Sequence, residues 1–133
     1  MSKYVYPAVF TLEDNGIYSI NFPDFESCFT QGNDIPDGLE MAKDILSITL
    51  CDMEDDKETI PVPSNPLKIH TSDNEFVTLI AVDTIEYRKS YSGKAVKKTL
   101  TIPSWLNSAA EKENINFSSV LQQALKEQLH IER

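Results

Sequence analysis

Residues 96–129, VKKTLTIPSWLNSAAEKENINFSSVLQQALKEQL, decide how the rest of the chain is read. The stretch opens by alternating: Lys97, Thr99 and Thr101 share one face of a strand, and Lys98, Leu100 and Ile102 share the other. Pro103 cannot donate to a ladder but suits the first turn of a helix, where its missing N–H costs nothing. A first helix is expected over residues 104–113, with Trp105, Leu106, Ala109 and Ala110 on its buried side. Asn114-Ile115-Asn116 breaks it. Asn116 is then placed to cap a second helix, whose apolar stripe is Phe117, Val120, Leu121, Ala124, Leu125 and Leu129.

One strand and two short helices, roughly 35 residues, cannot bury enough apolar surface to fold alone. The lone strand also lacks a partner for its N–H and C=O groups. Two copies solve both problems, with paired strands forming a ribbon and four helices forming a core. This order of elements resembles the ribbon-helix-helix family of DNA-binding repressors, whose two-stranded ribbon reads base edges in the major groove. The resemblance implies that Lys97, Thr99 and Thr101 read bases, and that the amides of Phe117, Ser118 and Ser119 hold a phosphate at a helix N-terminus. The implied dimer core is Leu100, Ile102, Trp105, Leu106, Val120, Leu121 and Leu125. Lys98 departs from the pattern, since the family usually has an apolar residue there; it can snorkel at the ribbon end. The same elements also fit a plain dimerisation module that touches no DNA.

Formal net charge is −9 over 133 residues, unusual for a DNA binder until it is divided. Residues 1–88 hold 17 acidic and 5 basic side chains, a net of −12; residues 89–133 hold 4 acidic and 7 basic, a net of +3. An acidic body on a mildly basic tail suggests a basic partner for one and a polyanion for the other, although solubility alone also accounts for the acidic body. The N-terminal residues contain no long apolar run, so neither a signal peptide nor a membrane span is expected. Cys28 and Cys51 could pair once; without an export signal they are expected as free thiols in a reducing cytosol. They and His70 and His130 lack zinc-site spacing, and no metal or cofactor is expected.

Ahead of the tail, residues 4–12 read as a strand, in which Pro7 points to an edge position or a bulge. Glu13-Asp14-Asn15-Gly16 is a hairpin turn, residues 17–22 return as a second strand, and a short third strand is expected near residues 27–30, ended by Gln31-Gly32-Asn33. Asp34 or Pro36-Asp37 opens a long helix running to about Glu54, with Leu39, Met41, Ala42, Ile45, Leu46, Ile48, Thr49 and Met53 as its apolar pattern. Residues 54–58 read as a solvated exit, and residues 60–67, rich in proline, as an extended connector. Residues 76–82 form a buried strand. The fold class is α+β: a two-layer β-β-β-α-β domain over residues 1–85, a linker over 86–94, and the dimerising β-α-α tail over 95–133.

YPAVF at residues 6–10, then Asn15-Gly16 and Tyr18, then FPDFESCFTQG at residues 22–32, resemble the HicB family of bacterial antitoxins. The resemblance spans residues 4–85, and the tail matches that family's ribbon-helix-helix variant. Glu26-Ser27 stands where many members have a Pro-Gly turn. The resemblance implies a partial ribonuclease H-like body that occludes HicA, a small toxin that cleaves messenger RNA. It also implies a dimer that binds operator DNA and represses its own operon. Acidic residues at the start of the long helix, Asp34, Asp37, Glu40 and Asp44, are the candidate toxin contacts; a solvated helix face is their plain alternative. If the body also dimerises, tetramers result.

Two other functions fit the sequence. The body of a repressor could sense a small ligand. A ribonuclease H-like fold could also support metal-dependent RNA cleavage, for which Asp14, Asp24, Asp34, Asp37 and Asp83 would be the carboxylates. Most of these sit in turn or helix-entry sequences, where aspartate has a routine local role, and no catalytic residue is assigned.

Overall fold

The computed structural model describes residues 2–91 and 95–131, which fall in two units, Met1–Lys94 (the body) and Ala95–Arg133 (the tail). This boundary places Lys89 and Lys94 in the body. The body then carries 17 acidic and 7 basic side chains, a net of −10, and the tail 4 and 5, a net of +1.

The run KYVYPAVFTL forms strand β1 (Lys3–Leu12), long enough to take a neighbour on each edge. It is joined by β2 (Tyr18–Asn21), β3 (Phe29–Gly32) and β4 (Glu75–Asp83) in an antiparallel sheet of order β3-β2-β1-β4. The hairpin between β1 and β2 closes where Gly16 adopts φ +85°, with Glu13 N–H donating to Ile17 C=O at 2.9 Å. Pro7 is not in an edge strand and forms no bulge, because its register against Leu79 continues unbroken. It is tolerated because β2 pairs with β1 only over Val9 to Leu12. At Pro7 that side of β1 has no ladder to interrupt.

The third strand lies two residues later than the sequence suggested. Gln31 and Gly32, read as its stop, belong to it. Gly32 is needed for packing: a Cβ there would come within 2.4 Å of Gly38 Cα, so β3 crosses the start of the long helix α1 (Ile35–Asp55) almost backbone to backbone. Asp34 caps α1, its Oδ1 accepting from Asp37 N–H at 2.9 Å, and Asp37 Oδ2 accepts in turn from Asn33 N–H at 2.8 Å. Gly38, Ala42, Leu46 and Leu50 form the buried ridge of α1 against Tyr6, Ala8, Phe10, Ile20, Phe22, Ile80 and Val82. Leu39, Met41 and Ile48, which the sequence pattern placed on that same face, are exposed instead.

Two further readings change. Glu54 is not part of a solvated exit. The stretch opened as a linker at Glu86 begins inside helix α2 (Thr84–Tyr91), which Asp83 helps start by accepting from Ile85 N–H at 3.0 Å. In the tail, α3 (Ser104–Lys112) and α4 (Phe117–Gln128) match the expected helices. Residues 95–103 carry no regular secondary structure in a single chain. Pairing is what makes a strand, and one copy supplies no partner.

Helices α1, α3 and α4 end alike. A left-handed residue follows each: Lys57 (φ 56°), Asn114 (φ 55°) and His130 (φ 58°). The next amide reaches back to the last turn, from Glu58 to Met53, Ile115 to Ala110 and Ile131 to Lys126. This closure satisfies carbonyls that the helix leaves open.

Candidate functional site

In the tail, Asn116 caps α4, its Oδ1 accepting from Ser119 N–H at 3.1 Å. That bond engages one of the three amides expected to hold a phosphate and leaves those of Phe117 and Ser118 for an incoming anion. Lys97, Thr99 and Thr101 are exposed, as is Lys98. No residue of α3 or α4 is buried. Of the expected dimer core, Trp105 is 71% exposed, Leu100 59%, Val120 55% and Leu125 51%; Ile102 and Leu106 are also exposed, and Leu121 is half-buried. Leu100 and Ile102 precede the helices and the others lie on two helix stripes, so among the described residues a single copy exposes most of this apolar set.

In the body, the four candidate toxin contacts divide in two. Asp34 and Asp37 are tied into the helix start, whereas Glu40 and Asp44 stand exposed beyond it. The carboxylates named for nuclease chemistry do not converge. Asp24 accepts from Ser64, Asp83 starts α2, and Asp34 and Asp37 cap α1. Among the described residues no group of three or more His, Cys, Asp or Glu is placed to hold a metal ion.

Sequence reasoning missed Glu54, around which the C-terminal end of α1, the start of β1 and α2 are joined. Its Oε2 accepts from Tyr4 Oη at 2.8 Å and from Thr84 Oγ1 at 2.9 Å, while Arg88 Nη2 bonds its Oε1 at 3.1 Å. Arg88 also reaches the Cys51 carbonyl and pairs with Asp55, both at 3.1 Å. Burial, then the Glu54 hydrogen bond and charge, push the Tyr4 phenol up to about 12. Burial alone would lower Arg88, but the Glu54 bond and the Cys51 and Asp55 interactions hold it above its ordinary value. Burial raises both thiols, Cys28 against a bond from Thr49 and Cys51 against the charge of Arg88. Both cysteines are free and buried, as ordinary core residues are.

The outward face of β1, β2 and β3 holds an open hollow of about 440 Å³ lined by Thr11, Ser19, Asn21, Phe29, Thr30 and Gln31 among others. Among the described residues no helix is long and apolar enough to cross a membrane.

Comparison with known proteins agrees with this geometry. The family described as "HicB_like antitoxin of bacterial toxin-antitoxin system" matches residues 5–85, from β1 to the start of α2. Antitoxin HicB of Escherichia coli K12 is 37% identical over 65 residues, 49% of this chain and 46% of that protein. An uncharacterised 14.9 kDa protein of Haemophilus phage HP1 is 29% identical over 106 residues, 77% of this chain and 75% of its own. Among solved structures, a chain of a toxin–antitoxin complex from Streptococcus pneumoniae superposes with a TM-score of 0.61 at 31% identity. It covers 95% of this chain and 99% of that one. The Burkholderia pseudomallei antitoxin HicB shares the fold, with a TM-score of 0.54 at 16% identity over 95% of this chain and 98% of that one.

Proposed function

Since the chain belongs to the HicB-like antitoxin family of bacterial toxin–antitoxin systems, we propose that its body binds and occludes a HicA-type toxin while its tail, as a homodimer, binds operator DNA and represses the operon. Both roles are binding, without catalysis or cofactor, and both belong in the bacterial cytosol. The observation that carries the toxin half is the match along nearly the whole chain to a component of a toxin–antitoxin complex. The body's net charge of −10 suits a partner that must itself grip RNA.

The unpartnered apolar surface of the tail supports the DNA half. A second copy covers Leu100, Ile102, Trp105, Leu106, Val120, Leu121 and Leu125, and pairs residues 97–102 into a ribbon. The ribbon then carries Lys97, Thr99 and Thr101 outward in duplicate. With a tail charge of only +1, base contacts and the amides of Phe117 and Ser118 must supply much of the grip. If the body contributes a second self-contact, the dimers assemble to tetramers.

Co-expression with the neighbouring reading frames tests the toxin half. A small basic protein should co-purify, and its RNA cleavage should stop on binding. A gel-shift titration with the chain's own promoter tests the tail. Lys97→Ala and Thr99→Ala should each weaken specific binding by about 1–3 kcal/mol while the dimer stays intact. Unchanged affinity and sequence preference in both variants would remove the ribbon as the reading element. Recovery of the chain alone, still able to shift promoter DNA, would favour a repressor whose body senses a ligand, and the hollow lined by Phe29 and Gln31 would be the place to look.

A further inference from the structure

A helix lying on one face of a sheet needs one apolar stripe, and α1 has two. Gly38, Ala42, Leu46 and Leu50 fill the core. Met41 and Ile48, spaced i and i+7, are turned away from it, while Ile45 between them packs against the edge of the core. Met41 is 39% and Ile48 42% exposed, with half-buried Ile45 between them. At about 1.5 Å per residue the outer two stand roughly 10 Å apart. The helical repeat puts Asp44 and Asp52 along the same side, and Glu40 borders it. These three carboxylates, all exposed, enter none of the ion pairs found among the described residues. Lys43, the lone basic residue of α1, falls on the opposite flank.

A merely solvated face would be polar at Met41 and Ile48, as it is at Asp44 and Asp52. We propose that this outward face of α1 is where the body meets the toxin. Met41 and Ile48 enter an apolar groove on the partner, over the half-buried Ile45 between them, and a basic rim around the groove pairs with Glu40, Asp44 and Asp52. The assignment rests on the antitoxin reading above and adds to it the side of the body that does the binding. Charge selects the occupant. A second copy would bring the rows of Asp44 and Asp52 against each other, and a nucleic acid would bring phosphates against them. A basic protein surface meets both the apolar row and its acidic border. The candidate contacts at the helix start, Asp34 and Asp37, are occupied with capping and fall outside this surface.

The test uses the full chain and the purified HicA-type toxin from its own operon, with binding read by calorimetry and inhibition by RNA cleavage. Met41→Asp with Ile48→Asp should weaken binding by about 30-fold or more and release RNA cleavage, with the thermal midpoint unchanged. Met41→Gln with Ile48→Gln provides the same test should the aspartates disturb folding. Asp44→Asn with Asp52→Asn should slow association and flatten its salt dependence. Val5→Asp with Leu79→Asp, on the other side of the sheet, should leave binding as it was. Wild-type binding matched within about twofold by both Met41/Ile48 pairs would overturn the assignment of this face and leave the antitoxin reading standing. Failure of the wild-type chain to bind the toxin would overturn that reading and this proposal together. A Met41/Ile48 pair that lowers the assembly mass without toxin would make the face a contact between copies and overturn the proposal.

Discussion

Phe10, Leu46 and Leu50 in the body are sealed from water by their own chain, whereas Trp105 and Leu100 in the tail stand 71% and 59% exposed. Both regions are built from amphipathic elements with ordinary caps. The difference is the number of layers. The body lays a 21-residue helix on a four-stranded sheet and closes a core between them. Among its described residues the tail has two short helices and no paired strand, and none of its apolar helix residues is buried. An exposed apolar stripe on a small unit therefore marks an incomplete core, while the exposed row on α1 lies on a unit whose core is already complete.

The largest expected effect is in the tail. Leu121→Asp should abolish the proposed dimer and melt α3 and α4, since isolated helices of that length are marginal in water. Sedimentation should show monomers, and circular dichroism should lose the tail's helical signal while the body still melts as before. A tail that stays helical as a monomer would break the contrast with the body. Leu46→Ala should cost the body about 2–5 kcal/mol, with a midpoint that does not move with protein concentration, unlike that of the tail.

Arg88→Ala should cost the body about 1–2 kcal/mol, because it removes the clasp between α2 and α1 and leaves Glu54 with Tyr4 and Thr84 alone. The same clasp predicts an alkaline response. Tyr4 titrates higher in the folded chain, near 12, than its ordinary 10.0. Its contribution is thus complete below the unfolded value and is lost as pH rises through the folded one. Urea titrations of the wild type across that window should lose stability, and Tyr4→Phe should lose less. The smallest effects compare matching caps. Lys57→Gly in the body and Asn114→Gly in the tail should each stabilise by about 0.5–1 kcal/mol, and only the second should tighten the proposed dimer.

Features signalled by local chemistry were legible from the sequence. Asn15-Gly16, the Asp34 and Asn116 caps and the break at Asn114 each act through a bond within a few residues. What was hidden depends on partners distant in the chain. Gly32 reads as a terminator until Gly38 is seen against it. The sequence TIEYRKSY has little amphipathic character, and α2 is held by Arg88 reaching residues more than 30 positions earlier. Met41 and Ile48 fit a helical apolar pattern, but only the position of the sheet shows that they lie off the buried stripe. Among the candidate sites, residue types were readable from the sequence; which of them are engaged was not, as Asp37 and Ser119 illustrate.

The register of β1 against β4 pairs Lys3 with Asp83, so the first strand of the body waits for the last. During synthesis the β1–β2 hairpin can form early, but one edge of β1 stays open until β4 has left the ribosome. Thr84 N–H then closes on the Ser2 carbonyl, and Glu54 gains its bonds to Tyr4 and Thr84 at the same stage. Until then Tyr6, Phe10 and Ile20 lack the cover that Ile80 and Val82 give them. Chains cut off before β4 should therefore be digested by protease faster than the full body.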